Sequence, residues 1–355
     1  MMQSMTTHND LMLSNGGIEI AKHVLIALSV QRRTQKQYDE LHGFRSDTEA
    51  IGALHCERVE GIWKAQGRQV LAMNPELTGE LQMATSTKIE PEVFRHLPYR
   101  DPLVVFPGGV EVPSWRGEES HRVLGFFTGG RSGEGMAVGG WKTRADMESE
   151  FDRVVRTTST HDPDIERFGV IIVNEVTDYR AGVPVFEFNR ISFPLDRGHS
   201  LEDHVERMIY DYGWSHAEIN GSPTSIERRA DYMRAQLGLV MGSLMYLAST
   251  VLDVQPVPKS RVARAWRGAD SKPPTMINVG WTIGPALSKA RRAAEESASS
   301  GGTGTGQRPH QRCAHFKTVW TGKGRTIPKT VLIAPYWVHR DRLGLTETKT
   351  VRAVS

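Results

Sequence analysis

Leu237 to Leu252 is a run of sixteen residues without a charged side chain. A bilayer crossing needs about 20 apolar residues, and this run contains Gly242, Ser243, Ser249 and Thr250, so it reads as a core helix and not a membrane span. The helical pattern begins at Thr224 or Ser225 and continues through Met233, Leu237, Val240, Leu244 and Leu247. Asp253 to Pro258 ends it, because two prolines in three residues cannot continue a helix. A helix that is apolar on every side must be enclosed on every side. The rest of the chain therefore has to supply layers that cover it.

Those layers are read from periodicity. Ile18 to Ala72 is expected to be mainly helical, with Val24, Leu25 and Leu28 and then Ile51, Leu54, Val59 and Trp63 at helical spacing. Leu103–Phe106 and Val123–Thr128 read as strands closed by turns at Gly108-Gly109 and Gly129-Gly130, with Met136 to Trp141 pairing to the second. Phe168–Val173 and Val183–Ile191 read as a hairpin, and Ser200 as the cap of another helix. Beyond Pro258 come a strand Met276–Thr282, a helix Pro285–Ala294 and a Ser/Gly/Thr linker over residues 297–306. Strands His315–Trp320 and Thr330–Val338 then flank a turn at Thr321–Arg325. The expected class is α+β, with N-terminal helices, a central antiparallel sheet with a helical block, and a basic C-terminal β-hairpin after a flexible linker. The expected divisions are 1–95, mainly helical; 96–258, an acidic α+β body; and 259–355, a basic end.

Charge sets that last boundary. The whole chain carries a net +3, yet residues 1–258 hold 26 Lys/Arg against 36 Asp/Glu, whereas residues 259–355 hold 18 against 5. A segment with that excess of cations favours an anionic partner. Cys56 and Cys313 are the sole cysteines, which excludes a disulfide framework and suits a reducing cytoplasm. The polar N-terminus reads as neither signal peptide nor anchor. A cytoplasmic protein with no membrane partner and no cofactor is expected.

The stretch from Arg308 to Trp320 concentrates the chemistry. Arg308, Arg312 and Lys317, with Lys323 and Arg325 in the following turn, would neutralise phosphates, and Trp320 would stack on an unpaired base. The same residues equally suit a solvated basic hairpin whose aromatics fill the core. His310 and His315 with Arg312 supply the acid, base and cation types of a metal-independent ribonuclease. His310, Cys313 and His315 also offer three zinc ligands, but a fourth would have to come from far away, as from His55 or Cys56. A separate candidate is a groove for an extended peptide, built from Leu97, Tyr99, Phe106, Phe126 and Phe127. Its plain alternative is an edge strand entering the core.

Several of these pieces resemble one family. They are Leu97-Pro98, the Gly125-Phe126-Phe127 strand, Leu244 to Ser249, Val279-Gly280 and Ile283-Gly284. The sharpest match is Arg308-Pro309-His310 with Arg312, Ala314-His315, Trp320 and Thr321-Gly322, followed by Ala334-Pro335. Over Leu97 to Val338 the chain resembles the anti-CRISPR proteins that lower the messenger RNA of the type V-A effector nuclease, and their relatives in plasmids and other mobile elements. It departs from their pattern at Cys313, Phe316 and Lys317, where Arg, Trp and His are expected. The resemblance implies recognition of the nascent N-terminal peptide of a target during translation and loss of the encoding transcript. That activity needs a peptide-binding surface and a basic surface facing RNA or the ribosome. A ribonuclease, or a nucleic-acid-binding regulator without a peptide partner, is the alternative.

Overall fold

The computed structural model describes residues 16–29, 59–83, 85–86, 91–114, 120–132, 167–178, 183–195, 203, 206, 223–249, 252–267, 272–299, 310–312, 315–333 and 336–338. At its centre is β1, Gln69–Met73, whose last four residues are buried. Leu71 and Met73 enter one core while Val70 and Ala72 enter another. A strand apolar on both faces belongs inside a sheet covered on both sides, and β1 has parallel neighbours on each flank. They are β3, Leu103–Val112, and β8, Thr275–Val279. β4 (Ser120–Ser132), β5 (Arg167–Asp178) and β6 (Val183–Pro194) extend the β3 side antiparallel, and β7 (Val254–Pro256) closes the other edge. The order is β6-β5-β4-β3-β1-β8-β7.

One face carries α1 (residues 16–29), α2 (residues 59–65) and α5 (Lys259–Ala265). They bury Ile18, Ala21, Val24 and Leu28, then Val59 and Trp63, then Val262, in one cluster. The other face carries α3 (Pro75–Met83), α4 (Pro223–Leu247) and α6 (Ile283–Ser299), which contribute Leu77 and Leu81, Leu237 to Leu247, and Leu287. The charge-free run identified from sequence forms the end of α4, and every residue from Leu239 to Leu247 is buried. Gly242 lets α3 pass close by: a Cβ there would meet the Leu81 carbonyl oxygen at 2.9 Å. A second layer comes from a three-stranded sheet, β11-β10-β2, made of Ile327–Ile333, His315–Thr321 and Thr85–Ser86. It places Phe316 in the α4 core and bridges Thr330 to Ser249 at the helix end.

The class is α+β, as expected from sequence. Some local expectations change. The helical stretch expected up to Ala72 stops short, because residues 69–73 are the central strand. Gly108 and Gly109, at φ 84° and 70°, do not close β3; they form an irregularity between Val105 and Val110, and β3 pairs with β4 on both sides of it. Gly129-Gly130 is likewise carried within β4. α6 continues to Ser299, so the first residues of the expected linker are helical. The Thr330–Val338 strand is two strands, β11 from Ile327 and β12 at Tyr336–Val338, the latter paired with β9 at His310–Arg312. The boundary at Pro258 is one of charge and not of the sheet, since β8 lies beside β1. Met136–Trp141, the Ser200 helix start and the tract beyond Ser299 lie outside the described residues.

The corner where β1 and β8 hand over to helices is tightly built. Asn74 caps α3, its Oδ1 accepting from Leu77 N at 3.0 Å, and its own N–H reaches Val279 O at 2.8 Å. Asp253 Oδ2 accepts from Thr282 N and from Ile283 N at the start of α6. Gly280 has φ 77°, and a Cβ on Gly284 would strike the Asn74 side chain and lie 2.9 Å from Leu77 N. Gly284→Ala is expected to lower stability by about 2–3 kcal/mol, the range for a forced clash in a packed site, read from urea melts.

Tyr246, fully buried in α4, accepts a hydrogen bond from Asp253 N at 3.3 Å. Burial pushes its hydroxyl up to about 12; the Asp253 N–H opposes that rise and the Asp253 charge adds to it. The unfolded chain ionises near the ordinary 10.0 and the folded one near 12, so this contribution is complete below pH 10 and lost between pH 10 and about 12. The loss is roughly 2–3 kcal/mol at full ionisation. Stability measured from pH 9 upward is expected to fall less steeply in Tyr246→Phe.

Candidate functional site

The hairpin β10–β11 has two unlike faces, because neighbouring residues point to opposite sides of a strand. Phe316 is wholly buried, and Pro328 and Thr330, on β11, are buried with it. The opposite face pairs Lys317 with Val331, Val319 with Lys329, and Thr321 with Ile327. On that face Lys317 and Lys329 are exposed, and Val319 and Ile327 are 38% and 40% exposed. The turn is built by Gly322 and Gly324, both at positive φ, with Gly322 O accepting from Arg325 N at 3.0 Å. It presents Lys323 and Arg325 to solvent. Trp320 shares the Phe316 side of the strand but is 37% exposed and pairs with Pro328.

These are the features of a basic, partly apolar surface that could meet an anion with stackable rings. Among the described residues, Lys317, Lys323, Arg325 and Lys329 make no ion pair. Several cations elsewhere are matched: Arg291 to Glu80 at 2.7 Å, Arg95 to Glu92 at 3.7 Å, Arg234 to Asp231 at 3.2 Å.

His310 and Arg312 are in β9, opposite Val338 and Tyr336. His315 begins β10, between Ile333 of β11 and Thr85 of β2, and is half-buried. The two histidines therefore sit in different sheets, and no strand register sets them side by side. Arg308, Cys313, His55 and Cys56 lie outside the described residues. Among the described residues no group of three or more His, Cys, Asp or Glu could hold a metal ion. No described helix is long and apolar enough to cross a membrane.

The residues proposed for a peptide groove separate. Phe106 and Phe126 are in the core under α4, and Phe127 is in the core on the other face, against Trp63 at 6.1 Å between ring centroids. Their side chains are consumed by packing. Leu97 and Tyr99 remain half-buried and line a small cleft of about 60 Å³. Phe94, Phe168, Arg100 and Asp101 line it too. Burial raises the Tyr99 hydroxyl above its ordinary value.

Reading the residues alone missed a polar layer beneath the first half of α4. Gln236 donates to Asn174 at 3.1 Å, while Asn189 donates to Gln236 at 3.1 Å and to Tyr232 at 3.0 Å. The His121 ring meets Tyr232 edge-on at 5.1 Å. Single polar letters inside apolar strands were its trace in the sequence. The layer holds α4 in one rotation over the sheet.

Residues 71–340 match the anti-CRISPR type V subtype A2 family. The chain belongs to that family. The match spans the sheet from within β1, the α4 face and the C-terminal hairpin, and leaves α1 and α2 outside it. No curated protein matches the chain. Of the positions singled out in the sequence as departures from the family pattern, Phe316 is a core residue and Lys317 is exposed on the outer face.

Phe316→Ala is expected to cost about 3–5 kcal/mol, as for other buried aromatics. Lys317→Gln with Lys329→Gln is expected to change stability by no more than about 0.5 kcal/mol, since both ends are solvated. Chemical denaturation of the two variants checks the division of faces.

Proposed function

We propose that this anti-CRISPR family protein recognises the nascent N-terminal peptide of its target and causes loss of the encoding messenger RNA. The basic C-terminal hairpin faces RNA or the ribosome in this reading. The observation that carries it is the two-faced hairpin: Phe316 is fixed in the core, Lys317 and Lys329 stand on the outer face, and Lys323 and Arg325 lie in the turn that follows the partly exposed Trp320, none of the four making an ion pair among the described residues. Unpaired cations beside an exposed ring favour an unpaired polynucleotide strand, where phosphates and base faces are offered together. The cleft at Leu97 and Tyr99 supports the peptide half. Its small volume suits one apolar side chain as an anchor, with the rest of the peptide running past Arg100 and Asp101.

Translation dependence separates this reading from its rivals. A reporter carrying the target's first codons is expected to lose its transcript when the protein is present. Synonymous recoding should preserve that loss, and a frameshift in those codons should abolish it. Loss that follows RNA sequence and ignores reading frame would overturn the peptide half and favour a regulator acting on nucleic acid alone. Leu97→Ala with Tyr99→Ala is expected to reduce transcript loss at least tenfold while leaving RNA binding by the purified protein unchanged. Cleavage of naked RNA by the purified protein, abolished in His310→Ala or His315→Ala, would instead establish a ribonuclease.

A further inference from the structure

Among the described residues, a second set of cations without ion pairs accompanies the hairpin. It lies on the opposite face of the seven-stranded sheet, where α5 packs through Val262 and Trp266 into the core of α1 and α2. Lys259, Arg264, Arg267 and Lys272 are exposed there, and none makes an ion pair among the described residues. Arg68 joins them, its Nη1 donating to Lys272 O at 3.2 Å, while its own carbonyl accepts from Thr275 N at 3.0 Å. Five peptide steps separate Arg267 from Lys272, so the chain holds their Cα atoms within roughly 18 Å. Between Val254 and Ala294 the sequence has one acid, Asp270.

This patch differs in chemistry from the hairpin. Its neighbouring Trp266 is buried, so that ring is not offered for stacking. Cations without rings recognise the regular phosphate rows of a duplex, where bases are already stacked on one another. We infer that the α5 surface, Lys259, Arg264, Arg267, Lys272 and Arg68, binds the phosphate backbone of double-stranded RNA, independently of sequence. The inference goes beyond the proposed function and does not rest on peptide recognition or on the hairpin. The fold holds the two surfaces on opposite faces of one sheet, so one molecule can hold a duplex and an unpaired strand at once.

The test uses the full chain with two labelled probes, a 20-base-pair RNA duplex and a 20-nucleotide unpaired RNA, followed by fluorescence anisotropy across salt. The variants are Lys259→Gln/Arg264→Gln/Arg267→Gln/Lys272→Gln and Lys317→Gln/Trp320→Ala/Lys329→Gln. The first is expected to weaken duplex binding at least tenfold and to make the log–log salt slope shallower by about three to four, because each neutralised phosphate contributes about 0.9. It should leave binding of the unpaired strand within about threefold of the parent. The hairpin variant is expected to show the converse, and an unchanged thermal melt confirms that both are folded. Duplex binding unaffected by the α5 changes, or no duplex binding by the parent chain, overturns the inference and leaves the hairpin reading standing. Polyaspartate of equal charge competing as well as unlabelled duplex would also overturn it, by assigning the patch to an acidic protein.

Discussion

The last three turns of α4 are apolar all round, and enclosing them organises the molecule. One side lies on the sheet, a second meets α3 at Gly242, and the third is covered by the β10–β11 hairpin through Phe316 and the Thr330–Ser249 bridge. Burial of such side chains is the dominant favourable term in folding, so no one of these covers is optional. The hairpin is consequently part of the core before it is anything else. Only one of its faces is spent on packing, and the other is left with cations that the core does not need. A function that uses the outer face can therefore change without unfolding the helix beneath.

The same helix is handled differently along its length. Its first half meets the sheet through Tyr232, Gln236, Asn174 and Asn189, whose hydrogen bonds are directional and fix rotation. Its second half meets apolar surface, which supplies energy with little directionality. Cations follow a parallel division. On α6, Arg291 is matched to the buried Glu80 and Arg292 to the exposed Glu76, both of α3. Among the described residues, Lys259 and Arg264 of α5 and Lys317, Lys323, Arg325 and Lys329 of the hairpin make no ion pair. Matching holds helices together, whereas an unmatched cation keeps its attraction for an external anion.

Much of the framework was legible. The β5–β6 hairpin, the body of α4, β10 and the glycine turn all follow from local periodicity and turn chemistry, although α4 ends at Leu247, ahead of the expected proline stop, and Val254–Pro256 is the strand β7. What failed was β1, because five apolar-leaning residues buried on both sides have no period to read, and their neighbour β8 is some two hundred residues away. The cap Asn74-Pro75, which starts α3, was passed over for the same reason. Among the site residues, Lys317, Lys323 and Arg325 are at the surface as solvated cations should be. Phe106, Phe126 and Phe127 suited a strand entering the core better than a groove on residue pattern alone, and the layers above and below the strands show them in the core. The α5 patch was visible as charge excess but not as a surface separate from the hairpin.

The amino-acid sequence by itself determined the class, the enclosed helix, the basic end and the family, because each depends on local pattern or on the order of motifs along the chain. The tertiary structure alone decided that the basic end is not one unit. It threads β8 into the sheet between β1 and β7, and thereby sends α5 to one face and the hairpin to the other. The physical reason is that β8 supplies backbone hydrogen bonds to one edge of β1 and side chains to both cores, a pairing between distant segments that no local pattern encodes. Charge, read along the chain, is a sum; the sheet turns it into two separated surfaces.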